Sequence, residues 1–236
     1  MNRFRAFLAH QLGLPSGWFG RLLLQLLNRN NATMNDLVLQ ELLAWQELQG
    51  QYGDISQEQR QPILEIGFGG GDLIAKLVKA LQSAHIVGVD RSPDAIALGQ
   101  QRFQRFIRQG KVKLRLADAA SLPFPSGTFH QICTVNTLYF WSDAPQVLLE
   151  CHRSLIQGGK LVIGYASKTY LEQQKLSCHG FATYEVAEVE TMMRTAGFTC
   201  IKTVVGTSDR PKFFCTSGVI RIWEIAGWMG SERVEG

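Results

Sequence analysis

The sequence predicts an α/β fold: a mostly parallel sheet of seven strands with helices on both faces, an antiparallel C-terminal hairpin and a helical cap ahead of the sheet. Three observations predict it. Strand-like apolar runs at 62–66, 85–89, 111–116, 129–135 and 159–165 alternate with helical patterns. The first run enters a glycine-dense turn, within ILEIGFGGGD from Ile63. The second, IVGVDRS from Ile86, ends on an acid, Asp90, about 20 residues after the glycines.

Each element has a local reason. Trp18, Phe19, Leu22, Leu23, Leu26 and Leu27 form one apolar stripe at helical spacing, and residues 35–49 continue with a second amphipathic pattern. The polar stretch from Gln51 to Gln61, with Gly53, breaks that pattern. Residues 1–60 therefore read as a helical cap or lid, and 61–236 as the core. After the second strand, Arg102, Arg105 and Arg108 recur every third residue, so a helix would carry them on one face and turn Phe103, Phe106 and Ile107 inward. Residues 166–183 follow the fifth strand and should cross over the ligand crevice. Two β-rich runs, 198–205 and 213–222, flank a short polar loop and read as the closing antiparallel pair.

The glycine turn carries the chemistry. Gly67, Gly69, Gly70 and Gly71 can take positive φ and lack a Cβ, so a ligand can approach the backbone closely. A carboxylate at the end of the next strand can accept both hydroxyls of a ribose. A dinucleotide turn wants G-x-G-x-x-G, and here Asp72 stands where the third glycine belongs. Glu65 and Asp72 at the helix mouth would repel a pyrophosphate. A nucleoside cofactor without phosphate and with a cationic centre suits them better.

With these residues the chain resembles the class I S-adenosylmethionine-dependent methyltransferases, which have a Rossmann-like core. The run from Glu65 to Gly71 stands where that family has E/D-x-G-x-G-x-G, and ADAASLPFPSGTF from Ala117, VNTLYFW from Val135, LIQGGKLVIGY from Leu155 and YEVAEVETMMRTAGF from Tyr184 follow in family order. The resemblance covers roughly residues 61–205. It implies S-adenosylmethionine as cofactor, held by Glu65, Gly67, Phe68, Gly69 and Gly71, by Asp90 with Arg91 beside it, by Asp118 with Ala119, and by Asn136. The nearest subgroup resembles the ubiquinone/menaquinone biosynthesis methyltransferases. Two departures weaken transfer of a quinone substrate: His130 follows Phe129 where an acid is usual, and Gly70-Gly71 replaces a small hydroxyl residue or proline before the last glycine.

Composition sets limits. A chain of 236 residues, 45% hydrophobic, can bury one sizeable core. The five cysteines, Cys133, Cys151, Cys178, Cys200 and Cys215, form no close pair, which fits reduced thiols in a cytoplasmic enzyme. The N-terminal stretch has no long apolar core of a leader, and no apolar run is long enough to span a bilayer. An amphipathic start such as WFGRLLLQLLN could touch a membrane surface, but its few basic residues favour packing over the pocket. The net charge of +4 is mild. The basic stretch from Arg102 to Arg115 reads as a solvated face, and the absence of an N/D-P-P-Y motif argues against a nucleic-acid substrate.

Methyl transfer needs alignment of a nucleophile with the donor more than covalent chemistry from the protein. Asp143 is the only acid between Asn136 and Pro145, so no metal is expected. His130 lies at the far end of its strand and reads as structural. His179, in the crossing segment, and Tyr139, in the cluster Tyr139-Phe140-Trp141, are the candidates for catalysis or substrate shaping. Asn31, Asn35 and Tyr52 are expected to add polar contacts from the cap. The expected function is methylation of a small-molecule acceptor. A non-catalytic module binding the same cofactor and an NAD-dependent oxidoreductase are the alternatives.

Overall fold

A computed structural model describes residues 11, 15–17, 19–20, 31–52, 62–81, 84–173, 181–206 and 213–221. Its elements run α1 (Ala32–Tyr52), β1 (Pro62–Ile66), α2 (Asp72–Ala80), β2 (His85–Asp90), α3 (Pro93–Arg102), α4 (Gln104–Arg108), β3 (Val112–Leu116) and β4 (Phe129–Val135). A 3-10 turn (Leu138–Phe140) then leads to α5 (Ala144–Ser154), β5 (Leu155–Ala166), α6 (Lys168–Gln173), α7 (Val186–Thr195), β6 (Phe198–Gly206) and β7 (Phe213–Ile220).

The seven strands form one sheet in the order β3-β2-β1-β4-β5-β7-β6. All neighbours pair in parallel except β7, which runs antiparallel to β5 and β6. Chain order reverses between β1 and β4, and the carboxyl ends of the strands open there into a crevice. The central strands are apolar on both faces because helices cover both. Leu64, Ile132, Leu161 and Ile163 face α5 and α7, while Ile63, Cys133 and Val162 face α1 and α2.

Helix α1 sits on the sheet through Met34, Val38 and Leu42, all buried. Burying each such side chain contributes roughly 1.5–3 kcal/mol. Polar ties fix its position: Gln131 Nε2 donates to the Leu42 carbonyl (2.8 Å), and the buried Lys160 pairs with Glu41 (3.0 Å) under the Trp45 ring. Residues 18 and 21–27 of the N-terminal stripe lie outside the described residues.

Two local expectations change. The arginine-bearing helix is broken at Phe103, which caps α3 and starts α4 while its ring is buried; Arg102, Arg105 and Arg108 remain exposed, as a solvated face requires. The fifth strand starts at Leu155, ahead of the expected residue 159, so that Gly158 and Gly159 lie inside it. Pairing between β4 and β5 shifts register between Phe129 and Gln131, and Gly158 takes φ +74° at that irregularity.

Candidate active site

At the switch point lies a cavity of about 630 Å3 that joins two chemically different halves. One is built on the glycine turn. Gly67 N donates to the Val89 carbonyl (2.7 Å), which ties the turn to β2, and Gly67, Gly69 and Gly71 have φ of +69°, +50° and +74°. The Asp90 carboxylate is 8% exposed and locks the turn from the next strand: Gly69 N and Ser92 N each donate to one of its oxygens at 2.9 Å. Burial pushes its carboxyl pKa up, and the Ser92 and Gly69 N–H groups pull it back.

Glu65, the last residue but one of β1, is 3% exposed, and its Oε2 has no hydrogen-bond partner among the described residues. Burial first, then the charges of Asp90 and Asp72, hold its proton on well above the usual carboxylate range; Arg102 and the Ile74 N–H oppose them. A group whose pKa is raised by folding costs stability as pH climbs above its unfolded value. Glu65→Gln should therefore leave the melting temperature of the free protein unchanged at acid pH and raise it increasingly toward alkaline pH. Parallel melting curves across pH check this, and a constant difference would contradict it.

The opposite half is aromatic. Phe140 meets Phe181 edge-on at 4.7 Å, Tyr139 stacks on Phe181 at 6.0 Å, and Trp141, Tyr170 and Phe213 complete the wall. Asn136 joins the halves. It directly follows β4 at φ +56°, a left-handed conformation that asparagine tolerates better than most residues. Its Nδ2 donates to Asn31 Oδ1 (2.8 Å), and Tyr139 OH donates to its Oδ1 (2.9 Å) while accepting from Ala166 N. Removing the hydroxyl in Tyr139→Phe strands the buried Ala166 N–H. Chemical denaturation should show a loss of about 1–3 kcal/mol, and an unchanged midpoint would mean that the hydroxyl does not join the ends of β4 and β5.

Most of the residues singled out from sequence converge here: Glu65, Gly67, Gly69, Asp90, Arg91, Asp118, Ala119, Asn136 and Tyr139 all border the cavity. Asp118 is exposed at the rim, and its Oδ1 accepts from Ala120 N (2.8 Å). The packing adds to four of the readings. Phe68 borders the cavity, but its 4% exposed ring packs inward, against positions where Gly88 and Gly99 have no Cβ; an added one would lie 2.9 Å from it. Gly71 caps α2, and a Cβ there would stand 2.5 Å from the Phe103 ring, so its lack of side chain serves packing. Tyr139 is a poor base: burial pushes its phenol far up, and both sides of the hydroxyl are hydrogen-bonded. Tyr52 ends α1, seventeen residues past Asn35 and so ~25 Å along the helix axis. His179 lies outside the described residues. His130 starts β4, at the end remote from the cavity, where burial lowers its pKa.

Sequence reasoning did not name Met34, Tyr170, Phe181 and Phe213, which reach the cavity from α1, from the segment after β5 and from the start of β7. It named Asn35 but not its partner: Asn35 Nδ2 donates to Asp72 Oδ2 (2.9 Å), which also faces Lys76 Nζ at 3.6 Å. Two further contacts bring the N-terminal segment to α3: Ser92 Oγ donates to the Pro15 carbonyl (2.6 Å), and Gly17 N donates to Asp94 (2.9 Å).

Residues 63–159, which carry the glycine turn, Asp90, Asp118 and Asn136, match a family described as a methyltransferase domain. This part of the chain is similar to methyltransferase domains, and its sheet has the Rossmann-like topology that their solved structures share. Within the curated relatives, the demethylmenaquinone methyltransferase of Thermus thermophilus is 33% identical over 101 residues, 43% of this chain and 45% of that one. The chain spans about half the length of the curated relatives it matches. Among solved structures, the methyltransferase fold here is shared with phosphoethanolamine N-methyltransferase 2 of Haemonchus contortus, in complex with phosphomonomethylethanolamine and S-adenosylhomocysteine (TM-score 0.61, 15% identity, 71% of this chain and 50% of that one). It is shared equally with the [4+2]-cyclase SpnF (TM-score 0.61, 16% identity, 70% and 76%). At such identities the likeness concerns the fold. Among the described residues, no helix is long and apolar enough to cross a membrane, and no three His, Cys, Asp or Glu side chains group as metal ligands.

Proposed function

We propose that the protein transfers a methyl group from S-adenosylmethionine to a small, largely apolar acceptor. One observation carries the reading: a glycine turn braced by Asp90, a buried Glu65 oxygen without a partner among the described residues, and an aromatic wall share one cavity. The cofactor fits the polar half. Asp90 offers remaining lone pairs to a ribose, Asp118 and Ala119 suit the rim of an adenine site, and Glu65 and Asp72 attract a cation where a pyrophosphate would be repelled. That repulsion, with the missing third glycine, speaks against NAD.

When bound, the cofactor supplies an electrophilic methyl group on a sulfonium. The chain's part is to hold the acceptor in line and exclude water. Phe140, Trp141, Phe181 and Phe213 offer flat apolar surface for that purpose, and Pro15, Asn31 and Asn35 border the cavity from the expected cap. Tyr139, with its hydroxyl saturated, positions Asn136 rather than moving a proton. The name of the Thermus thermophilus relative supports quinol-like acceptors as the first class to try, and the unpaired spacing of the cysteines supports a cytoplasmic setting. The test is transfer of labelled methyl to quinols, phenols, amines and carboxylates. Label in a quinol or phenol supports the reading. Tight cofactor binding with no label in any acceptor would favour a non-methylating module on this fold.

A further inference from the structure

Three carboxylates face the glycine turn, and their partners differ. Asp90 takes N–H groups on both oxygens, and Asp72 takes the Asn35 amide and faces Lys76. Glu65 alone of the three has a buried oxygen with no partner among the described residues, and it borders the cavity. A fully buried carboxylate with an unsatisfied lone pair is costly, whereas a carboxylic acid there is not. We propose that the site reads the charge of its cofactor through Glu65, which is a carboxylic acid in the free protein and a carboxylate against the bound cation, so that binding releases a proton.

The surroundings of Glu65 support this from every side. From β2 comes Asp90, and from α2 come Asp72 and the Ile74 N–H, Asp72 sharing Lys76 with Asp36. From α3 comes Arg102, exposed and donating to the Gly70 carbonyl. From β4 comes Cys133, whose thiol is held neutral by burial, with Glu65 and Cys215 adding to the effect. From α1 comes the uncharged Asn35. Negative charge therefore outweighs positive around Glu65, and its own proton supplies the balance until a cation arrives. The proton leaves the Glu65 carboxyl for the buffer, and no other bond changes.

The inference rests on the proposed cofactor, and its test separates the two. The full-length protein is titrated calorimetrically with S-adenosylmethionine in phosphate and in Tris at several pH values. The expected result is a buffer-dependent enthalpy equal to about one released proton per cofactor below the titration of Glu65, with affinity rising up to about tenfold per pH unit. Glu65→Gln should bind with affinity independent of pH and without proton release. Methylthioadenosine, which has neither sulfonium nor ammonium, should bind without release. Release with S-adenosylhomocysteine assigns the partner to the ammonium, and release with S-adenosylmethionine alone assigns it to the sulfonium. Binding with buffer-independent enthalpy, or unchanged release in Glu65→Gln, overturns the inference while leaving the cofactor intact; no binding of any of these ligands overturns both. An infrared difference spectrum of free wild-type protein against Glu65→Gln at neutral pH should show a carboxylic acid carbonyl band, and its absence also overturns the inference.

Discussion

Asp90→Ala should weaken S-adenosylmethionine binding by about 1.5–3 kcal/mol, roughly 10- to 150-fold in Kd. The loss has two sources. The carboxylate is the group positioned to accept ribose hydroxyls at the end of β2, and it also holds the turn by accepting from Gly69 N and Ser92 N. Asp90→Asn keeps one acceptor oxygen and should fall between the two. Calorimetric titration of all three proteins measures this, with melting curves to report the turn's share. Unchanged affinity in Asp90→Ala would mean that the acid serves the turn and not the ligand.

Gly67→Val should take binding below detection and destabilise the fold as well. At φ +69° a β-branched residue is strained by about 1–3 kcal/mol before any contact is counted. Its Cβ would also collide with the Thr137 methyl, on a residue whose hydroxyl meets Thr134 Oγ1, itself bonded to the Ile66 carbonyl. The junction of β1, β2 and β4 is thus packed against the missing Cβ. Thermal denaturation and titration together check the expectation. A Gly67→Val protein that melts and binds normally would mean that this turn neither packs nor binds as described.

The strands were legible because their physics is local. Central parallel strands buried on both faces read as mainly apolar runs, and 129–135 coincides with β4 to the residue. The turn and Asp90 were legible because spacing alone brings a strand end, a glycine turn and the next strand end together. What escaped depends on tertiary packing. Phe68 and Gly71 look like ligand contacts in a glycine-rich motif, yet the rings of Phe68 and Phe103 decide what each position can hold. The aromatic wall draws Phe140 from the turn after β4, Tyr170 and Phe181 from the segment after β5 and Phe213 from β7, with no periodicity to link them. The Asn136–Asn31 bond spans 105 residues, and nothing local to either asparagine announces it.

The most direct measurement is calorimetric titration of the protein with S-adenosylmethionine and S-adenosylhomocysteine, with NAD as control. Micromolar binding of the first two and none of the third is the predicted result; binding of NAD alone, or of none of the three, would contradict it.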